Sequence, residues 1–349
     1  MNDQDTRSAR RGKSLETLTE QEQRLLTAAR PGIELASRPM LATLSDRRDF
    51  TSGWIFERKL DGIRALVVRD GSGVRLLSRS GRRLNDTYPE IIDALAAQAC
   101  PDFTADGEIV AYARGRTDFG LLQQRMQLSD ARRIRATPVA VTYHLFDMLR
   151  LNGADTTRLP LRSRKSLLRG ALAYRAPLRF TVHRNEGGQD LLDQACARGW
   201  EGLIAKRAGS RYQPRRSPDW LKLKCQQGQE FVIGGFTEPA GTRVGFGALL
   251  LGYYRDGRLR YAGKVGTGYD RAALLDIRRQ LDELGTDASP FAGRIKEQRA
   301  HWVRPRLVAQ IGFTEWTRDG MLRHPRFLGL RDDKQAADVV RESPGSLPG

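Results

Sequence analysis

Cysteine, histidine and acidic charge are all in short supply in this chain. Its 349 residues include three cysteines and four histidines. Cys100, Cys196 and Cys225 lie far apart and form no CxxC pair, so no disulfide framework is expected and a reducing compartment follows. His144, His183, His301 and His324 are scattered and match no zinc-ligand spacing. No apolar run is long enough to span a membrane, and the polar, charged N-terminus is unlike a secretory signal. An intracellular, cytoplasmic protein without membrane association is therefore expected. Acidic residues number 41 against 59 Lys and Arg, a formal net charge of +18, and arginine outnumbers lysine. A charge this positive points to a polyanion partner, most simply nucleic acid, because neutralising phosphates releases counterions. Hydrophobic content of 40% is enough for real cores, and the length suggests two domains.

What the chain does have is organised around Glu57-Arg58-Lys59-Leu60-Asp61-Gly62-Ile63-Arg64. Trp54-Ile55-Phe56 precedes this charged cluster and Ala65-Leu66-Val67-Val68 follows it, so it falls at the join between two strand-like runs. Burial would lower the pKa of Lys59 toward the nucleophilic amine, and a nearby carboxylate would oppose that. Gly62 permits close backbone approach. Alone, Lys-x-Asp-Gly reads as a surface turn; the rest of the chain gives it weight.

Residues 1–37 read as a polar arm with one short helix after Thr19-Glu20-Gln21-Glu22, which has capping-box form. Its basic start, Arg7 to Lys13, reads as a disordered tail. From Pro39 to Cys225, strand-like and helix-like runs alternate. Strands are expected at Val74–Ser78, Phe103–Ala111, Val139–Leu149 (broken by Asp147), Glu201–Lys206 and Trp220–Lys224. Helices are expected at Tyr88–Ala99, Phe119–Leu128 and Leu191–Arg198. Beyond Gln229, short strands and frequent glycines suggest a small antiparallel barrel of the oligonucleotide-binding (OB) type, interrupted by a helix over Tyr269–Leu284. Further strands are expected at Val303–Ile311 and Phe313–Thr317. The run Gly263-Lys264-Val265-Gly266-Thr267-Gly268 fails as a phosphate loop, because Lys264 lacks a following Ser or Thr.

Charged groups recur at the ends of these strands. After Lys59, Asp61 and Arg64 come Ser78-Arg79-Ser80-Gly81, Asp106-Gly107-Glu108, Phe146-Asp147, Glu201-Gly202-Leu203-Ile204-Ala205-Lys206, Lys222-Leu223-Lys224 and Arg331-Asp332-Asp333-Lys334. Their order and spacing resemble the covalent nucleotidyltransferases, which comprise the ATP-dependent DNA ligases, RNA ligases and mRNA capping enzymes. Within that superfamily the chain is most similar to the ligase module of bacterial DNA ligase D and stand-alone ligase C. That likeness rests on Pro39-Met40-Leu41-Ala42, Leu122-Gln123-Gln124-Arg125-Met126, Phe231-Val232-Ile233-Gly234-Gly235-Phe236, Gly245-Phe246-Gly247-Ala248-Leu249-Leu250, the glycine run at 261–268 and Arg323-His324-Pro325 through Lys334. It covers roughly residues 38 to 340.

The resemblance implies an α+β fold. A nucleotidyltransferase (adenylation) domain with mainly antiparallel sheets, residues 38–226, would be followed by an OB-fold domain, 227–349. It implies an ATP-dependent DNA ligase that seals 5′-phosphate/3′-hydroxyl breaks through a lysyl-AMP intermediate. Lys59 would be the nucleophile. Glu57 would bind the cofactor, Arg64 and Glu108 the ribose, and Arg79 a phosphate. Phe146 and Ile204 would sandwich adenine. Lys222 and Lys224, on one face of a strand, would engage the α-phosphate. Asp61, Glu108 and Glu201 would face Mg²⁺ or Mn²⁺. Arg331, Asp333 and Lys334 would orient the departing pyrophosphate. Implied partners are nicked or broken duplex DNA, a Ku-type end-binding protein and a separate polymerase, around a monomer in a bacterial, nucleoid-associated setting. Around Gly81-Arg82-Arg83 the chain departs from relatives, which often carry an acidic residue there. The alternatives are an RNA ligase, a GTP-using capping enzyme, or a nucleic-acid-binding module with decayed chemistry.

Overall fold

The computed structural model describes residues 14–342, apart from 29, 127, 129, 226, 227 and 298. The basic stretch from Arg7 to Lys13 lies outside them. The chain divides into two compact units, one through Leu223 and one from Lys224.

In the first unit the strand Ile63–Asp70 explains the layering. Ile63, Ala65 and Val67 sit in one apolar cluster, whereas Leu66 and Val68 sit in another. Successive side chains on a strand point to opposite faces, so both faces of this strand are covered. That is why its sequence is a nearly unbroken apolar run. It pairs antiparallel with Gly73–Ser78 and with Phe103–Ala113, which pairs in turn with Val141–Leu151. These strands form the centre of an eight-stranded, mainly antiparallel sheet, which Leu178–Phe180 joins in parallel. One face is buried beneath the helices Pro89–Ala96, Phe119–Met126 and Leu161–Ala171 through Ile91, Leu95, Leu122, Met126, Leu167 and Leu168. The other face meets a four-stranded sheet of Leu41–Leu44, Arg216–Lys224, Gly202–Arg207 and Trp54–Arg58. Leu66, Val68, Ile55, Phe146 and Trp220 fill the space between the two sheets.

The second unit is built on Gly228–Thr237. This strand pairs antiparallel with Leu249–Arg255, Ala300–Val303 and Val308–Gly312 in a seven-stranded sheet of OB type. The helix Arg271–Asp282 covers its core through Leu274, Ile277 and Leu281. Asp270 caps that helix by accepting from the Ala273 amide.

Four expectations change. The arm is not polar throughout: Gly32–Ser37 is a helix whose Leu35 and Ala36 are buried in the inter-sheet cluster. The Thr19 capping box forms, but its helix is only Glu20–Gln23. The strand at Asp147 is not broken; Val141–Leu151 is continuous and takes up Phe146 as a bulge, since Gly107 pairs with Leu145 and Asp106 with Asp147. The run Val303–Ile311 is two strands, Ala300–Val303 and Val308–Gly312. Cys100 is a free thiol. Among the described residues no helix is long and apolar enough to cross a membrane.

Candidate active site

Strand alternation assembles the site between the two sheets. On the Ile63–Asp70 strand, Arg64 shares a face with Leu66 and Val68; on its neighbour, Asp106 and Glu108 share the matching face. From the other sheet, Ile55 and Glu57 face inward and Lys59 follows two residues on. Lys59 opposes Gly202, whose carbonyl accepts from the Lys59 amide at 2.9 Å. That register places Glu201 beside the lysine. Gly202 has φ 146°, a backbone conformation that favours glycine. Gly62 meets a different demand. A Cβ there would lie 2.2 Å from the Ile109 carbonyl oxygen, so only glycine lets the Lys59–Asp61 loop lie against the Phe103–Ala113 strand.

The Lys59 ammonium forms an ion pair with Glu201, and its side chain is 17% exposed. Burial pushes its pKa down, but Glu201, hydrogen-bonded to it, and then Asp61 and Glu108 outweigh burial and hold it above the ordinary lysine value. Of the two opposed effects, the carboxylates win over burial. The second carboxylate oxygen of Glu201, Oε2, is buried and has no hydrogen-bond partner among the described residues. Such an oxygen suits a divalent cation. No three His, Cys, Asp or Glu side chains among the described residues are gathered tightly enough to hold a metal on their own. Mg²⁺ commonly takes one or two carboxylates and completes its shell with phosphate oxygens and water, so Glu201 with Asp61 or Glu108 fits it.

Arg64 donates from Nε and Nη2 to the two oxygens of Asp106 at 2.5 and 2.6 Å, and from Nη2 to the Met40 carbonyl at 3.2 Å. Tyr212 donates to the same carboxylate at 2.6 Å and accepts from the Met40 amide at 3.0 Å. Asp106 is fully buried. The guanidinium lies 4.7 Å from the centroid of the Phe146 ring. Glu108 is the direct cross-strand neighbour of Arg64.

Glu57, expected at the cofactor, has its carboxylate in a buried triad. Lys165 Nζ lies 2.5 Å from one oxygen and Lys206 Nζ 2.6 Å from the other. Burial pushes the Glu57 carboxyl up, but Lys165 and then Lys206 overcome this and hold it below its usual value. For Lys206 burial wins over Glu57, and its pKa falls. Lys206 Nζ stands 4.2 Å from the Phe146 ring centroid and 4.1 Å from that of Trp220. Ile204 opposes Glu57 across the strand pair. Phe146 is only 8% exposed and packs edge-on against Trp220 in the inter-sheet cluster.

Not every expected residue comes to this site. Asp147 is fully buried and takes both arms of Arg164, at 2.7 and 2.9 Å, which makes it a structural partner of the helix Leu161–Ala171. Arg79 follows the Gly73–Ser78 strand in a turn, half-buried. Lys222 sits on Arg216–Lys224 beside Leu44. Lys224, expected with it on the α-phosphate, ends the same strand, and its ammonium pairs with Glu342 at 2.9 Å and with the Gly228 carbonyl. Arg331 is likewise committed in the second unit, forked on the buried Asp333 at 2.8 Å for both bonds, and Lys334 pairs with Glu230 at 3.1 Å. Sequence reading gave no role to Asp106, Lys165, Lys206, Tyr212 or Trp220. For Lys206 a signal was present: it lies two residues after Ile204 on a strand and so shares its face.

The family profile of the ATP dependent DNA ligase domain matches residues 39–224, and that of the ATP dependent DNA ligase C terminal region matches residues 242–334. The multifunctional non-homologous end joining protein LigD of Pseudomonas aeruginosa is 40% identical over 320 residues, covering 89% of this chain and 37% of LigD. The LigD of Mycobacterium tuberculosis H37Rv, a multifunctional non-homologous end joining DNA repair protein, is 39% identical over 313 residues, covering 87% of this chain and 40% of that protein. The chain thus spans about two fifths of the length of these curated relatives. A solved structure of mycobacterial DNA ligase D complexed with ATP and MES aligns with a TM-score of 0.59 at 35% identity, covering 87% of this chain and 98% of that one. With both profiles matched in order over most of its length, the chain belongs to the ATP-dependent DNA ligases.

Proposed function

We propose that Lys59 carries AMP in a three-step sealing reaction on duplex DNA. The observation that carries this reading is the Lys59–Glu201 pair: a shielded lysine held by a carboxylate whose second oxygen is left without a partner. In the first step the Lys59 nitrogen, once it has given up its proton, attacks the α-phosphorus of ATP; a P–N bond forms, the bond to the β-phosphate oxygen breaks, and pyrophosphate leaves. In the second, AMP passes to a 5′-phosphate at a break. In the third, the 3′-hydroxyl attacks that activated phosphate and AMP departs. A Mg²⁺ or Mn²⁺ ion held by Glu201 with Asp61 or Glu108 would offset negative charge on the reacting phosphate.

The base is read by chemistry on hand. Glu57 offers an acceptor and Lys206 a donor, matching the N6 amino group and N1 of adenine. Guanine presents the reverse pattern, so this pair favours ATP over GTP. Phe146 and Ile204 supply apolar faces for the ring. Arg64 keeps its Nη1 N–H groups for the ribose, together with Glu108. We assign the α-phosphate to Lys222 and not to Lys224, and keep Arg79, Arg331 and Lys334 as candidate phosphate contacts.

In this reading residues 38–226 form the adenylation domain and 227–349 the OB domain. The names of the relatives suggest a role in end joining; with it we propose a Ku-type protein and a separate polymerase as partners of a monomer in the bacterial cytoplasm near the nucleoid. A pull-down without Ku contact, together with unimpaired end joining in a deletion strain, would sink that role alone. The reaction is tested on a nicked duplex with a labelled 5′-phosphate. Sealing is expected from the wild-type chain with ATP and not with GTP, and none from Lys59→Ala. Sealing by Lys59→Ala, or DNA binding without sealing by the wild type, would overturn it.

A further inference from the structure

Lys165 stands outside every motif discussed above, on the helix Leu161–Ala171, yet it makes one of the shortest contacts in the site region. Its Nζ lies 2.5 Å from Glu57 Oε1, while Lys206 holds the other oxygen at 2.6 Å. Lys165 also donates to the Thr181 carbonyl at 2.9 Å and stands 4.8 Å from the centroid of the Phe180 ring. Its side chain is 1% exposed and that of Glu57 3%. One lysine would neutralise Glu57. A second leaves an extra positive charge in the interior, and a buried charge without its own counter-ion is costly. Stability alone does not call for this arrangement.

We propose that Lys165 is a positioning residue for base recognition: anchored by Thr181, it fixes the plane and charge of the Glu57 carboxylate so that the acceptor facing the nucleotide meets the 6-amino group of adenine. A carboxylate has about four acceptor positions, of which the two lysines use two, so capacity for the amino group remains. Lys206, relieved of holding Glu57 alone, keeps donors for the ring nitrogen. The proposal rests on the reading of Glu57 and Lys206 given above.

The test compares ATP with purine riboside triphosphate, which lacks the 6-amino group, in formation of the protein–AMP adduct. Sites built to bond a polar group reject analogues lacking it, and the wild type should prefer ATP by roughly tenfold or more in kcat/KM. In Lys165→Met that preference should shrink at least about fivefold, with the loss falling on KM for ATP more than on kcat. In Glu57→Gln the preference should already be small, and adding Lys165→Met should change it no further, because the two residues act as one unit. A purely structural role for Lys165 would lower activity toward both nucleotides alike and leave the ratio intact, which overturns the proposal. Should Lys165→Met not fold, Lys165→Gln, which keeps a donor toward Glu57 but not the charge, should lose part of the preference for ATP, and an unchanged ratio there overturns the proposal; if neither folds, Lys165 is structural and the proposal falls. A wild-type chain that uses both nucleotides equally would instead overturn the base-reading role of Glu57.

Discussion

At the scale of single residues, the proposed reaction turns on the ionisation of Lys59. Glu201 contacts its ammonium, and Asp61 and Glu108 add to the field, so the charged form of the lysine is favoured. Because its pKa is raised by folding, this pairing stabilises the fold below the ordinary lysine value of 10.5 and is lost as pH rises through the folded value. Glu201→Gln removes the nearest of the three carboxylates and leaves burial with less opposition. The Lys59 amine should then react faster with an amine-directed reagent at mildly alkaline pH, by roughly tenfold for each unit its pKa falls. Peptide mass spectrometry of the labelled chain reads this directly; an unshifted labelling profile would mean that Glu201 does not govern the lysine. Lys59 was singled out by the series of charged motifs along the chain, since its own stretch alone reads as a surface turn. Its charge state was not legible, because Glu201 is distant in sequence and adjacent only through the pairing of Trp54–Arg58 with Gly202–Arg207.

Elements set where those residues stand. The loop after Lys59 is fixed by contact with the Ile109 carbonyl, which leaves no room for a Cβ at Gly62. Gly62→Ala should cost about 1–3 kcal/mol in thermal or denaturant unfolding, as overpacking does. It should also slow adduct formation by roughly 10²-fold, the effect of about an ångström of misplacement at a reacting group. A slower enzyme without loss of stability, or the reverse, would separate the two effects. The helix Leu161–Ala171 escaped sequence reading for a physical reason. Its inward face includes Ser163, Arg164 and Lys165, all buried, which interrupt the apolar stripe of Leu161, Leu167 and Leu168. A helix that buries two cations looks solvent-facing in sequence, although those cations hold Asp147 and Glu57. Both Arg164 and Asp147 are fully shielded. Asp147→Asn, which leaves the arginine without its anion, should therefore destabilise the fold by about 3–5 kcal/mol. Asp147→Leu combined with Arg164→Met should restore much of that in the same unfolding measurement. The bulge at Phe146 was not legible, since a single extra residue leaves no mark on an apolar run.

Over the whole molecule, the net charge of +18 is the property most visible in composition. If binding to nicked duplex neutralises about six phosphates, affinity should fall roughly 10³-fold between about 50 and 200 mM salt. A flat salt response would remove the electrostatic account of DNA binding. The two-unit organisation was also legible, from the change to short strands and frequent glycines beyond Gln229. What composition could not show is which charged groups are already taken: Lys224 by Glu342, Arg331 by Asp333 and Lys334 by Glu230. The central claim is that Lys59 accepts AMP from ATP. It is tested most directly by treating the purified chain with pyrophosphate to clear any bound AMP, then incubating it with ATP labelled at the α-phosphate and Mg²⁺, without DNA. Label that survives denaturation of the wild-type chain, absent from Lys59→Ala and from a parallel GTP sample, is the predicted result. No label on the cleared wild type, or equal label on Lys59→Ala, would contradict the account.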